Sequence, residues 1–261
     1  MKNLRKYGHE PFSVAVIHGG PGAPGEMAPV ARELSSVMGV LEPLQTATTL
    51  EGQIRELKAV LKESAALPVT LIGFSWGALL SFIFTARHPS FVRKLILVGS
   101  ASYEEKYAVN IMQTRLSRLS EEEREQAFSL MRTLNDPSVT DKNTPLARLG
   151  ELLSRADSYD PLPHDDEILE CRYDVFQGVW EQASELRSSG KLLELGKSIR
   201  CPVVAVHGDY DPHPSAGVVE SLSRVLKDFR FILLEKCGHR PWLERSARDR
   251  FYNILKQELA S

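Results

Sequence analysis

One serine of this chain lies in a pattern that favours nucleophilic catalysis. Residues 73–77 read Gly-Phe-Ser-Trp-Gly, between an apolar run at 68–72 and a longer apolar stretch at 78–87. We predict a strand, a sharp turn and a helix, in which a glycine two residues to either side leaves room for a strained serine. Such a turn exposes the Ser75 hydroxyl at the carboxyl end of the strand and aims the Trp76 N–H at the group that Ser75 attacks.

A serine hydroxyl needs a base to accept its proton and an acid to orient that base. We expect both partners after later strands, because ligands of a parallel sheet bind beyond the carboxyl ends of its strands. Apolar runs precede His-Gly-Asp-Tyr-Asp-Pro at 207–212 and Glu-Lys-Cys-Gly-His-Arg-Pro at 235–241. His239 is the predicted base, since it follows the last strand and has a glycine beside it. Spacing alone leaves Asp209 and Asp211 nearly even as the acid.

The other histidines are expected in structural or peripheral places. His207 ends a strand, and His18 belongs to a glycine-rich loop that we expect it to hold. The rest lie before the fold, at a helix end or in proline-rich loops: His9, His88, His164 and His213. Cys237, two residues before His239, is expected to be structural because it has no sharp turn of its own.

The glycine-rich loop at 18–22, His-Gly-Gly-Pro-Gly, follows an apolar run that is expected to neighbour the serine strand. A tetrahedral intermediate needs preorganised N–H donors for its negatively charged oxygen. We assign the Gly20 N–H to this oxyanion hole, together with the Trp76 N–H. A phosphate-binding loop is disfavoured, because G-x-G-x-x-G is absent and prolines lack the N–H.

Two parts of the chain alternate strands with helices. Strands are predicted at 12–17, 40–41, 68–72, 92–98, 201–207 and 229–234, and helices at about 28–38, 50–62, 78–87, 216–226 and 242–259. Because the strands are continuously apolar, the sheet is expected to be covered on both faces. The alternation predicts an α/β fold with a doubly wound, mostly parallel sheet.

Between the two parts, strand patterns disappear. We predict a helical cap at residues 103–197, hereafter the cap segment, inserted into a core made of 1–102 and 198–261. Ser120 and Glu123 form a capping box, Thr144-Pro145 is expected to open another helix, and helical periodicity resumes over 168–186. The cap segment carries 19 acidic and 12 basic residues, a net charge of −7, against +5 for the core. Charged side chains on solvent-exposed helix faces account for this difference in charge. The alternative, which assigns the charge a function, is an acidic lid over the site.

Composition excludes several function classes. The 261 residues are 43% hydrophobic and 25% charged, with a net charge of −2, which is typical of a globular protein. No basic stripe predicts nucleic-acid binding, and no apolar run is long enough to predict a membrane span. Three cysteines without metal-ligand spacing predict reduced thiols in a cytoplasmic protein and no metal site.

These motifs together resemble the α/β-hydrolase superfamily, over nearly the whole chain outside the cap segment. His-Gly-Gly-Pro-Gly at 18–22, combined with Gly-Phe-Ser-Trp-Gly at 73–77, is similar to its proline iminopeptidase branch. The resemblance implies Gly20 and Trp76 as the oxyanion hole, Asp211 as the acid and His239 as the base.

Three features depart from that branch. Its Asp-x-Arg-Gly-x-Gly-x-Ser is replaced by Glu-Pro-Leu-Gln-Thr-Ala-Thr at 42–48, and the cap segment is compact. The segment before the first loop is short, so the leading antiparallel strands are expected to be reduced or lost.

The sequence therefore predicts a serine hydrolase that cleaves a carboxylic ester or small amide through an acyl-enzyme and needs no cofactor. An aminopeptidase like the proline iminopeptidases is the alternative. Less favoured are a carbon–carbon bond hydrolase and a relative that binds a ligand without catalysis. The expected partner is a small ester, amide or short peptide, and the sequence predicts no oligomeric state.

Overall fold

A computed structural model describes residues 3–165 and 167–260. The strands are Leu4–Tyr7 (β1), Phe12–Ile17 (β2), Gly39–Pro43 (β3), Val69–Phe74 (β4), Val92–Val98 (β5), Val203–Gly208 (β6) and Phe229–Leu234 (β7). The α-helices are Ala28–Leu34 (α1), Leu50–Ser64 (α2), Trp76–Arg87 (α3), Ile111–Ser117 (α4), Glu121–Asn135 (α5), Asn143–Ala156 (α6), Tyr173–Ser188 (α7), Lys191–Glu194 (α8), Ala216–Leu222 (α9) and Arg248–Ala260 (α10). Every strand predicted from the sequence is present.

The strands form one seven-stranded sheet in the order β1-β3-β2-β4-β5-β6-β7. The pairs between neighbours from β3 to β7 are parallel, and β1 pairs antiparallel with β3 at the edge. The leading antiparallel part of the sheet is therefore one strand of four residues, so it is not lost. The strand order reverses direction around β2 and β4, which is where a doubly wound sheet binds its ligands.

Both faces of the sheet are covered, as the apolar strands predict. Alternate residues of a strand point to opposite faces. Val14 and Val16 of β2 accordingly pack with α1 and α10, while Ala15 and Ile17 pack with α2, α3 and α9. Helix α3 is buried almost throughout, because it lies against the sheet and beneath α7 of the cap segment.

The cap segment contributes α4 to α8 and a small core of its own. Leu119, Ala127, Leu134, Leu149, Leu152 and Ala156 make up the buried part of that core. The capping box is confirmed, since the Ser120 hydroxyl and the Glu123 carboxylate each accept the other's backbone N–H. No helix among the described residues is long and apolar enough to cross a membrane.

Several predicted helix bounds are wrong. Thr144 is predicted to cap α6 ahead of a first-turn Pro145, but the helix already starts at Asn143. The Asp141 carboxylate accepts the N–H groups of Asn143 and Thr144 and the Thr144 hydroxyl. Helix α7 starts at Tyr173 instead of 168, α1 ends at Leu34 instead of 38, and α10 starts only at Arg248. Each error lies at an element end, where local periodicity competes with side-chain capping and tertiary contacts.

Candidate active site

Ser75 occupies a strained turn between β4 and α3. Its φ is 51° and its ψ is −113°, a region that residues other than glycine rarely adopt. The two flanking glycines are required by close approach, because a Cβ on Gly73 would lie 2.3 Å from the Gly77 oxygen, and one on Gly77 would lie 2.3 Å from the Ile17 oxygen. The Ser75 N–H donates to the Val98 carbonyl of β5 at 2.9 Å, which holds the turn to the sheet.

A hydrogen-bonded chain of three side chains ends at Ser75. The His239 Nε2 lies 3.0 Å from the Ser75 Oγ, and the His239 Nδ1 lies 2.7 Å from the Asp211 Oδ2. Asp211 and His239 are buried, whereas Ser75 is partly exposed and so remains open to a substrate. This geometry brings the predicted nucleophile, base and orienting acid into line.

The charges of this chain support the assignment of His239 as a base. Burial lowers the pKa of His239, but the Asp211 carboxylate outweighs burial and raises it above its ordinary value. Burial also raises the pKa of Asp211, and the three surrounding histidines outweigh it and hold that pKa well below its ordinary value. Asp211 is therefore ionised beside His239, and its negative charge favours the protonated form of that ring.

The structure separates the two candidate acids. Asp211 contacts His239, whereas the Asp209 Oδ1 accepts the backbone N–H of Cys237 at 3.0 Å. Asp209 therefore holds the loop after β7 without touching the histidine ring. The Cys237 thiol is fully buried, and burial raises its pKa, so the thiolate that a nucleophile requires is disfavoured.

Both predicted oxyanion donors lie at the same edge of the sheet as Ser75. Trp76 is the first residue of α3, so its N–H lies at the positive end of a helix. Ile17 of β2 lies opposite Gly73 of β4, which places Gly20 three residues beyond this pair and Ser75 two residues beyond it. The Trp76 ring is buried, donates to the Gln53 Oε1 at 3.0 Å and packs against Trp180 of the cap segment.

His18 holds the loop that carries Gly20. Its Nδ1 lies 2.8 Å from the Gly19 oxygen, and its Nε2 accepts the Gln45 N–H at 3.3 Å. These bonds require a neutral ring that is protonated on Nδ1. Burial lowers the pKa of His18 to about 4, which agrees with a neutral ring.

We expect the free energy of unfolding to fall as the pH is lowered from 6.5 to 4. The pKa of His18 and that of His213 are each lowered to about 4, so in this range the unfolded chain binds protons that the folded chain does not. Each histidine is expected to cost about 2–3 kcal/mol at pH 4.5. Urea unfolding of the wild type and of His18→Asn at pH 7 and pH 4.5 measures this, and the variant should show a smaller pH dependence. An equal pH dependence in both proteins would contradict the assignment.

His213, which is predicted to be peripheral in a proline-rich loop, lies in that loop but contacts Asp211 and His239. Its Nδ1 lies 2.9 Å from the Asp211 Oδ1, and its ring stacks on that of His239 with centroids 4.7 Å apart. Among the described residues, the possible metal ligands that lie close together are Asp211, His213 and His239, whose ligand atoms are within 4.8 Å of one another. Hydrogen bonds between the rings and the carboxylate account for this clustering, so we propose no metal there.

The cap segment is joined to the loop that carries His239. The His239 N–H donates to the Asp157 oxygen at 2.8 Å, and the Asp157 carboxylate is held by two bonds from Arg115 of α4, at 2.8 and 2.6 Å. The buried Glu244 carboxylate accepts the N–H groups of Gly238, Tyr159 and Asp160 at 2.8–3.0 Å. Residues 156–160, here called the cap strap, are thereby fixed against the histidine loop. Sequence patterns give no signal for the contacts of His239 and Glu244 with the cap strap, because these partners are more than 80 residues apart.

Glu244→Ala is expected to lower the free energy of unfolding by about 3 kcal/mol, because the buried N–H group of Gly238 and two partly buried N–H groups lose their acceptor. Asp160→Asn is the matched control, since the Asp160 carboxylate forms only an exposed pair with Arg245 among the contacts described, and we expect a change below about 1 kcal/mol. Urea unfolding at pH 7 measures both values. Equal effects in the two variants would show that Glu244 does not anchor the cap strap.

The family model for the alpha/beta hydrolase fold matches residues 42–246. The chain belongs to the alpha/beta-hydrolase fold family. This confirms the predicted fold and its hydrolase class. The range that matches the alpha/beta-hydrolase family contains Ser75, Asp211 and His239, and it begins after Gly20. A comparison with curated protein sequences gives no significant match.

Solved structures of other proteins share this alpha/beta-hydrolase fold. E-2-(acetamidomethylene)succinate hydrolase is 18% identical with a TM-score of 0.65, over 99% of this chain and 94% of its own. The enol-lactonase from Burkholderia xenovorans is 16% identical with a TM-score of 0.63, over 99% and 96%. The monoacylglycerol lipase from Paleococcus ferrophilus is 16% identical with a TM-score of 0.62, over 98% and 97%. At these identities the likeness shows the fold alone.

Proposed function

We propose that the protein is a serine hydrolase that cleaves a carboxylic ester or a small amide through an acyl-enzyme. The observation that carries the proposal is the chain of hydrogen bonds from the Asp211 Oδ2 through His239 to the Ser75 Oγ, at 2.7 and 3.0 Å. Ser75 attacks the carbonyl carbon while the His239 Nε2 takes the hydroxyl proton. Asp211 keeps the other ring nitrogen protonated and stabilises the imidazolium.

The N–H groups of Gly20 and Trp76 are the proposed donors to the oxyanion. They act on the oxygen as it becomes charged, and losing one such donor typically costs about 2.7–4 kcal/mol of barrier stabilisation. His239 then gives its proton to the leaving group, which leaves Ser75 acylated. Water, activated by the same histidine, hydrolyses the acyl-enzyme and restores Ser75.

A carboxylic ester is favoured over a peptide with a free amino terminus. An aminopeptidase needs a carboxylate to receive the protonated amine of its substrate. Asp157 is the acidic residue of the cap segment whose backbone oxygen accepts the His239 N–H. Its carboxylate already accepts two hydrogen bonds from the Arg115 guanidinium.

A fluorogenic panel tests the proposal. It compares short acyl esters and small acyl amides with prolyl arylamides, on the wild type and on Ser75→Ala. We expect the esters to be cleaved by the wild type alone, and a fluorophosphonate to label Ser75 with one equivalent per chain. Cleavage of prolyl arylamides without ester cleavage would replace the proposal by the aminopeptidase alternative. Folded wild type that is neither labelled nor active on any substrate would refute both.

A further inference from the structure

The Asp211 carboxylate is held from two sides. Its Oδ2 faces His239, and its Oδ1 lies 2.9 Å from both the backbone nitrogen and the Nδ1 of His213. The Asp211 carboxylate is fully buried, so each of these donors stabilises its charge in a place that water does not reach. His213 therefore shares with His239 the negative charge on which the base depends.

His213 is itself fixed in place. Its side chain is 6% exposed, and its ring stacks on that of His239 at an interplanar angle of 24°. His207, at the end of β6, lies with its Nε2 2.8 Å from the His213 carbonyl oxygen, which it reaches as a donor. A second buried histidine thus fixes the backbone of His213, and the ring itself is held between the Asp211 Oδ1 and the ring of His239.

The charges around His213 favour its neutral form. Burial, which outweighs the attraction of Asp211, lowers the pKa of His213 to about 4. The other titratable groups that face it or Asp211 are His239, His207, whose Nε2 is 3.5 Å from the Asp211 Oδ2, and Arg115 of α4. Asp157 of the cap segment acts on His239 and is paired with Arg115. His213 therefore acts near neutral pH as an uncharged donor.

We propose that His213 is a positioning residue of the active site: its Nδ1–H holds the Asp211 carboxylate toward His239 and withdraws part of the charge that His239 senses. The inference rests on the proposed function, because it assigns a role within the same triad. Without this donor the carboxylate is less well oriented, which lowers turnover. It also keeps more of its charge for His239, so the imidazolium is stabilised and loses its proton at higher pH.

Two substitutions separate the donor from the ring. His213→Phe keeps an aromatic ring that stacks on His239 and removes the Nδ1–H. His213→Asn removes the ring, and its amide nitrogen takes nearly the position of Nδ1, so the donor to Asp211 is kept. A role in packing predicts that Asn is the more harmful change, whereas the proposed role predicts that Phe is.

The readout is the rate at which a fluorophosphonate labels Ser75 between pH 5 and 9, normalised to the chains that are labelled at completion. We expect His213→Phe to lower the plateau rate by about tenfold and to move the acid limb up by about 0.5–1 pH unit. In His213→Asn the acid limb should stay at its wild-type position. An unchanged acid limb in both variants, or equal shifts in both, would overturn the proposal.

NMR titration of the His239 imidazole gives the same comparison without activity. The pKa of His239 is expected to rise in His213→Phe and not in His213→Asn, and the opposite order would overturn the inference. If the wild type were unreactive, the proposed function would fail while this titration still decided the role of His213. If His213→Phe did not fold, His213→Leu, which also lacks the donor, would carry the same expectation.

Discussion

Ser75→Ala is expected to lower kcat for a short p-nitrophenyl ester by at least about 10⁴-fold, because the substitution removes the proposed nucleophile and leaves only binding and the proposed oxyanion donors. KM should change little, since the alanine removes one atom from a partly exposed position. Steady-state kinetics with the purified variant measure both constants. The folded state is checked by its thermal unfolding transition.

Ser81→Ala is the matched control for this result. Ser81 lies on α3, the helix that follows Ser75, is fully buried and has no hydrogen-bond partner for its hydroxyl among the described residues. Its removal is expected to leave kcat within about twofold of the wild type and stability within about 1 kcal/mol. A large loss in Ser81→Ala, or ester turnover retained in Ser75→Ala, would contradict the role of Ser75 as nucleophile.

Asp211→Asn is expected to lower kcat by about 10⁴-fold while the protein stays folded. The amide presents a donor where His239 needs an acceptor, so the ring is driven to the tautomer that cannot take the Ser75 proton. The carboxylate also raises the pKa of His239, and without it the acid limb of the pH–rate profile should move to lower pH. The profile of kcat/KM between pH 5 and 9 measures this shift.

Asp209→Asn is the control that the sequence itself suggests. The asparagine keeps an oxygen that accepts the Cys237 N–H, so kcat is expected to stay within about tenfold of the wild type. A larger loss in Asp209→Asn than in Asp211→Asn would exchange the roles of the two aspartates.

How far a residue could be predicted from the sequence depends on how local its signal is. The turn at Ser75 is local, because a strand, two glycines and an apolar helix stand next to one another in the chain. His239 is nearly so, since it follows the last strand of an alternating pattern and parallel strands deliver their carboxyl ends to one edge. Asp209 and Asp211 both lie in the loop directly after β6, two residues apart, so their distance from the strand does not distinguish them. Only the positions of their side chains in the fold show which one contacts His239.

Contacts between distant segments left no signal in the sequence. Glu244 accepts hydrogen bonds from N–H groups of the cap strap, which lies more than 80 residues earlier in the chain. From the sequence alone, a buried glutamate in a loop cannot be distinguished from a glutamate on the surface. His213 was assigned to a proline-rich loop, as it is, but its ring turns inward because Asp211 accepts from both its backbone and its side chain. The net charge of the cap segment likewise says nothing about Asp157, whose carboxylate is bonded to Arg115.

Sequence alone determined the α/β alternation, the strained turn of Gly-Phe-Ser-Trp-Gly and the order in which Ser75, an aspartate and His239 follow their strands. These follow from periodicity and backbone sterics, which act between near neighbours. Tertiary structure alone decided which aspartate faces His239, that His213 holds it and that Glu244 ties the cap strap to the histidine loop. The physical reason is that hydrogen bonds in a buried site depend on distances of about 3 Å between segments that the chain keeps far apart.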